Sequence, residues 1–153
     1  MLGVLKAGKT FVPMDATHPS SRLRHIVENC EARLLVTDDL NVRIADDLTG
    51  GKLELVTIGD FAENISVDNP GIRVQPQDIA FFVYTSGSTG RPKGIIQSHR
   101  NFIHAIRSYT NALHLCSDDR LTLLYSYSVA GGIRDTFRAL LNGASLHLWN
   151  IRT

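Results

Sequence analysis

Apolar positions along the chain switch between two periods. Leu23, Ile26, Val27 and Cys30 fall at i, i+3, i+4 and i+7 with arginines and His25 between them, which predicts an amphipathic helix over residues 19–30, capped by Ser20 or Ser21. The run RLLVT at 33–37, closed by Asp38-Asp39, predicts a short strand. A helical pattern through Val42, Ile44, Ala45 and Leu48 follows, and Gly50-Gly51 ends it. Residues 53–58 predict a second strand. DIAFFVY at 78–84 is a continuous apolar run rich in β-branched and aromatic residues, as in a strand buried on both faces. From His99, Phe102, Ile103, Ile106, Tyr109, Thr110 and Leu113 recur at helical spacing, predicting a helix to about residue 115. A strand at 121–125, a helix centred on 136–142 with Gly143 as its cap, and a strand at 144–149 complete the pattern.

Strand and helix alternating at this spacing predict an α/β fold with a mainly parallel sheet flanked by helices. Residues 63–77 hold Asn64, Asp68, Asn69, Pro70, Gly71 and Pro76 with no sustained period. They predict a loop connecting two packed parts within a single domain over 1–153.

Sixteen basic and fifteen acidic side chains leave a net charge of +1, so no long-range field favours nucleic acid as a partner. Cys30 and Cys116 lie far apart, in neither a CxxC pair nor a dense framework, and read as small core residues of a reduced protein. The N-terminal residues lack the order of a signal peptide, and no stretch is apolar enough to span a bilayer. The expectation is a cytoplasmic protein with no membrane partner.

The chemistry concentrates at 84–94, YTSGSTGRPKG. A polar, glycine-rich connector between two strands is the ordinary explanation for such a composition. Here glycines that permit close backbone approach, hydroxyls that donate hydrogen bonds and a lysine that neutralises charge follow directly on a buried strand, and a phosphate chain uses all three together. The spacing is not that of a Walker loop: Lys93 is neither preceded by glycine nor followed by a hydroxyl. Pro92 also removes a donor and disfavours helix at Arg91, so the loop is not expected to open straight into a helix. A P-loop kinase or NTPase is disfavoured accordingly.

Other polar residues read as structural. His99 and His104 are five apart, a poor match to an i, i+4 metal pair, and His99 is better placed to cap or brace the loop. His18, His25, His114 and His147 read as surface or partly buried residues. The pairs Asp38-Asp39, Asp46-Asp47 and Asp118-Asp119 sit at element edges, where turns and caps favour aspartate.

The motif YTSGSTGRPKG resembles the phosphate-loop signature of the adenylate-forming superfamily, which includes acyl-CoA synthetases, peptide-synthetase adenylation domains and firefly luciferase. LKAGKTFVPMD at 5–15 is similar to the LKAGAAYVPLD segment of peptide-synthetase adenylation domains, and Pro19-Ser20-Ser21-Arg22-Leu23 continues it. His99-Arg100-Asn101 resembles the family's HxN, and ALLNGASL at 139–146 its ALLNGA(T/S)L segment, so the resemblance spans essentially the whole chain.

The resemblance implies that a small-molecule carboxylic acid attacks the α-phosphate of ATP, that pyrophosphate leaves with Mg2+, and that the acyl group passes to a thiol, as on a carrier protein. It implies that Thr85, Ser86, Ser88 and Thr89 supply hydroxyls, that Gly87 and Gly90 give backbone access, and that Lys93 supplies charge as the catalytic residue. Adenylation domains for amino acids carry an FD step after the strand at 121–125, whose aspartate grips the ammonium group. Ser128 takes that place in YSYSVAGG at 125–132, which argues for an aryl, fatty or other carboxylic acid. That aromatic and glycine-rich segment is a candidate lining for the acid's pocket.

Nothing in the sequence resembles the family's adenine or ribose motifs, or its C-terminal domain with a catalytic lysine. The chain is therefore expected to be a partial domain, inactive alone, with the complementary part of the enzyme as a partner. A non-catalytic remnant or phosphate-binding module is the alternative.

Overall fold

The computed structural model describes residues 1–60, 66–86 and 92–149. It is an α/β protein in which helices α1 (Leu2–Lys6), α2 (Ser20–Asn29), α3 (Val42–Thr49), α4 (His99–Leu113) and α5 (Ala130–Asn142) alternate with strands. The strands β1 (Leu34–Thr37), β2 (Glu54–Thr57), β3 (Ile79–Ser86), β4 (Pro92–Ser98), β5 (Arg120–Leu123) and β6 (Ser145–Leu148) form three pairs, β1–β2, β3–β4 and β5–β6. The first and third pairs are parallel, with Leu34 opposite Glu54 and Arg120 opposite Ser145.

The chain divides into two compact units, one of Met1–Pro13, Gly71–Thr85 and Lys93–Thr153, the other of Met14–Pro70 and Ser86–Pro92. The first is built around β3. Ala80, Phe81 and Val83 are buried together with Phe11, Phe102, Ile106, Ile133 and Phe137, and Val4 and Leu5 of α1 pack against them. Four rings run in sequence through this core: Phe11 on Phe81 at 5.3 Å, Phe81 against Phe102 at 4.9 Å, and Phe102 against Phe137 at 5.0 Å, the last two edge-to-face. Phe11 also adds a parallel backbone bridge, its N–H donating to Ala80 O and its carbonyl accepting from Phe82 N. Helices α4 and α5 join through Asn142 Nδ2, which donates to Thr110 Oγ1 at 2.9 Å, and through the Arg138 guanidinium 3.6 Å from the Tyr109 ring centroid.

In the second unit, α3 packs on the β1–β2 pair, burying Ala45, Leu48 and Thr49, while α2 buries Leu23 and Ile26. Gly50 ends α3 in the left-handed conformation, as its place after the last apolar position predicts. The Arg24–Asp47 pair on its surface, at 3.3 Å between exposed side chains, contributes little in high dielectric.

Several expectations are corrected. Neither Ser20 nor Ser21 caps α2: Pro19 holds the N-cap position and both serines lie inside the first turn. The helix expected to reach residue 115 ends at Leu113, because His114 turns left-handed at φ 53° and its N–H closes back on Thr110 O. Helix α5 contains the expected core at 136–142 and extends back to Ala130, where packing overrides the low propensity of Gly131 and Gly132. Neither cysteine belongs to the core: Cys116 is exposed, and Cys30 is half-buried with its thiol pKa raised by desolvation. The short helix α1 lies outside the elements that the sequence predicts.

Candidate functional site

The motif expected to hold phosphate, residues 84–94, runs from the end of β3 to the start of β4. β3 is held by burial: Ala80, Phe81, Val83 and Tyr84 are buried, and exposure begins at Thr85 and Ser86, whose hydroxyl-bearing side chains reach solvent at the strand's end. Gly87, Ser88, Thr89 and Gly90 lie outside the described residues. On the far side the chain re-enters as a strand, Pro92–Ser98, and only then becomes helix, as Pro92 predicts. Lys93 is exposed at the second position of that strand. Next to it, a Cβ on Gly94 would lie 3.3 Å from Cζ of the buried Tyr84, so the glycine lets β4 pass close to that ring.

The distal end of β4 is tied by backbone. Ser98 Oγ accepts from Asn101 N at 3.2 Å and caps α4. His99 N donates to Asp78 O at 3.0 Å and Arg100 N to Pro76 O at 2.7 Å, so the start of α4 is bonded to the residues that lead into β3. The proximal end is met by His25, whose Nε2 lies 3.3 Å from Pro92 O. Sequence reasoning missed both attachments. The S-x-x-N spacing of Ser98 and Asn101 could have revealed the first, whereas nothing in the sequence links residues 25 and 92.

The segment expected to line the acid's pocket is a tight turn into α5. Ser128 is buried, its hydroxyl 3.0 Å from Ser126 Oγ and its N–H donating to the same oxygen at 3.2 Å. A Cβ on Gly132 would collide with the Ser126 carbonyl, which explains the glycine there. Tyr125 and Tyr127 stay exposed. The aspartate pairs act as turn and surface residues: Asp38 Oδ1 accepts from Asn41 N and Nδ2, and Asp119 Oδ2 accepts from Cys116 N. A cleft of about 260 Å³ in the second unit, lined by Leu23, Leu35, Asp38, Asn41 and Leu48 among others, holds none of the expected site residues. Among the described residues no helix is long and apolar enough to cross a membrane.

The family model described as AMP-binding enzyme matches residues 1–153, and the chain belongs to that family. Curated relatives of this chain include peptide synthetases. It is 38% identical over 152 residues to bacitracin synthase 1 of Bacillus licheniformis, covering 97% of this chain and 3% of that protein. It is 37% identical over 153 residues to D-lysergyl-peptide-synthetase subunit 2 of Epichloe festucae var. lolii, covering 94% of this chain and 11% of that protein. Among solved structures, the nonribosomal peptide synthetase FmoA3 superposes with a TM-score of 0.82 at 26% identity, covering 95% of this chain and 15% of that one. An ATP-bound RpMatB-BxBclM chimera shares the fold, with a TM-score of 0.85 at 22% identity over 96% of this chain and 31% of that one. The chain thus spans a small fraction of the curated relatives' length.

Proposed function

We propose that this chain supplies the phosphate-holding part of an ATP-dependent carboxylate-activating enzyme. The observation that carries the reading is the strand–loop–strand frame: a core-anchored β3 ends in the exposed Thr85 and Ser86, and β4 returns with Lys93 exposed at its second position. Family membership supports the general reaction.

In this reading the Thr85 and Ser86 hydroxyls donate hydrogen bonds to phosphate oxygens, and the Lys93 ammonium offsets charge that grows on the pyrophosphate as the acid's oxygen attacks the α-phosphorus. Ser88 and Thr89 add hydroxyls, and Gly87 and Gly90 let the backbone approach. Mg2+ would be carried by the phosphate oxygens themselves, and Lys93 would add a second positive charge against them. With Ser128 where a carboxylate would grip an ammonium group, and its hydroxyl already engaged by Ser126, the acid is one without an α-ammonium. A carrier-protein thiol then takes the acyl group from the adenylate with release of AMP, and the complementary part of the enzyme supplies the contacts to adenine and ribose.

Calorimetric titration with Mg-ATP tests the first step. The wild-type chain binds saturably, and Lys93→Ala weakens binding about tenfold or more with the fold intact by circular dichroism, the loss expected for one charge-assisted bond. A folded wild type that binds no nucleotide sinks the reading. Binding without isotope exchange between pyrophosphate and ATP, even with the complementary part and a panel of acids, would instead support a phosphate-binding module that turns nothing over.

A further inference from the structure

We propose that His25 is a positioning residue for Lys93. This rests on the reading of Lys93 as the phosphate-facing cation, and it assigns a role to a side chain that lies 67 residues away from the loop's end in sequence.

The argument begins with what holds His25. It lies on α2 between Leu23 and Ile26, which are 1% and 3% exposed, so the helix cannot shift without opening the packing beneath it. The half-buried ring sets Nε2 at 3.3 Å from Pro92 O. A carbonyl oxygen only accepts, so the hydrogen resides on Nε2, and the histidine donates.

Pro92 makes this one bond consequential. Its ring restrains φ near −65°, leaving ψ as the main freedom about its Cα. The Pro92–Lys93 peptide is planar, so fixing its oxygen fixes the plane from which the Lys93 Cα departs. On the other side of Lys93 stands Gly94, the residue type with the widest backbone freedom. Lys93 is exposed, and no described side chain gives its ammonium a hydrogen bond or ion pair. The peptide that His25 holds therefore sets, together with the pairing of β4 with β3, the direction in which the chain enters Lys93.

The test compares wild type with His25→Phe, which keeps an aromatic ring but donates nothing, and His25→Gln, whose side-chain amide places a donor near the position of Nε2. Trypsin gives a readout independent of nucleotide. Arg91 precedes a proline and resists cleavage, so cutting in this stretch falls after Lys93, and its rate follows the population in which that segment opens. The phenylalanine variant is expected to be cut after Lys93 about three- to tenfold faster than wild type, the change expected for one hydrogen bond, with glutamine restoring the wild-type rate. Equal rates for wild type and phenylalanine, or equal rates for glutamine and phenylalanine, would overturn the proposal.

Nitrogen-15 NMR of the wild-type imidazole at pH 8 adds a readout that needs no variant: hydrogen wholly on Nε2, in place of the tautomer mixture of a free imidazole, supports the bond, and hydrogen on Nδ1 excludes it. Mg-ATP titration of the same proteins separates the two readings. Weaker binding in the phenylalanine variant, rescued by glutamine, supports both. If the wild type binds no nucleotide while the cleavage order holds, His25 still positions Lys93 and the phosphate reading is what fails.

Discussion

The two strands beside the loop are held in opposite ways. β3 is fixed by its side chains, with Ala80 and Phe81 no more than 1% exposed and the ring of Phe81 clamped between Phe11 and Phe102. β4 is exposed from Lys93 to Ile96, and its ends are held by hydrogen bonds: Pro92 O to His25, and Ser98 with the two residues after it to the α4 cap and the approach to β3. A strand fixed by burial is rigid along its length, because moving it opens a cavity. A strand paired through its backbone and tied at its ends keeps its exposed side chains available for a ligand. Thr85 and Ser86 at the end of β3 and Lys93 near the start of β4 are thus exposed beside a strand that the core holds in place.

Substitutions can break this contrast. Phe81→Ala is expected to cost about 3–5 kcal/mol, since it empties a site lined by rings on both sides, and a large fall in the thermal midpoint would show it. A small effect would mean that the core re-forms around the gap. Ser98→Ala removes the α4 cap and is expected to cost about 1 kcal/mol in denaturant titration. Ile96→Ala, at a position 56% exposed, is expected to change stability by less than about 0.5 kcal/mol. If Ile96→Ala proved as costly as Phe81→Ala, β4 would be a buried strand in solution and the contrast would fall. Lys93→Ala completes the series, with stability unchanged to within about 0.5 kcal/mol and nucleotide binding alone affected.

Much of the fold was legible in the chain itself. Leu23, Ile26, Val27 and Cys30 announced α2, and the unbroken apolar run at 79–84 announced β3, since burying one face or both is a local consequence of period. Gly50 and Gly143 stood where left-handed caps were needed, and both adopt that conformation. Boundaries were less legible. Gly131 and Gly132 disfavour helix by propensity, yet both lie in α5, and Gly132 is needed because Ser126 turns its carbonyl onto that position. The cysteines misled, because a small apolar side chain at a helix end or in a turn carries no mark of its depth.

The sequence by itself determined the α/β alternation, the family through YTSGSTGRPKG, and the strand that follows the loop through Pro92. These depend on residues close together in the chain, where sterics and hydrogen-bonding periods act directly. Only the tertiary structure decided which elements meet: that Phe11 bridges to Phe81, that the start of α4 bonds back to Asp78 and Pro76, and that His25 reaches Pro92. Such contacts join residues tens of positions apart. Their pairing follows from how buried faces pack together, which no local pattern encodes.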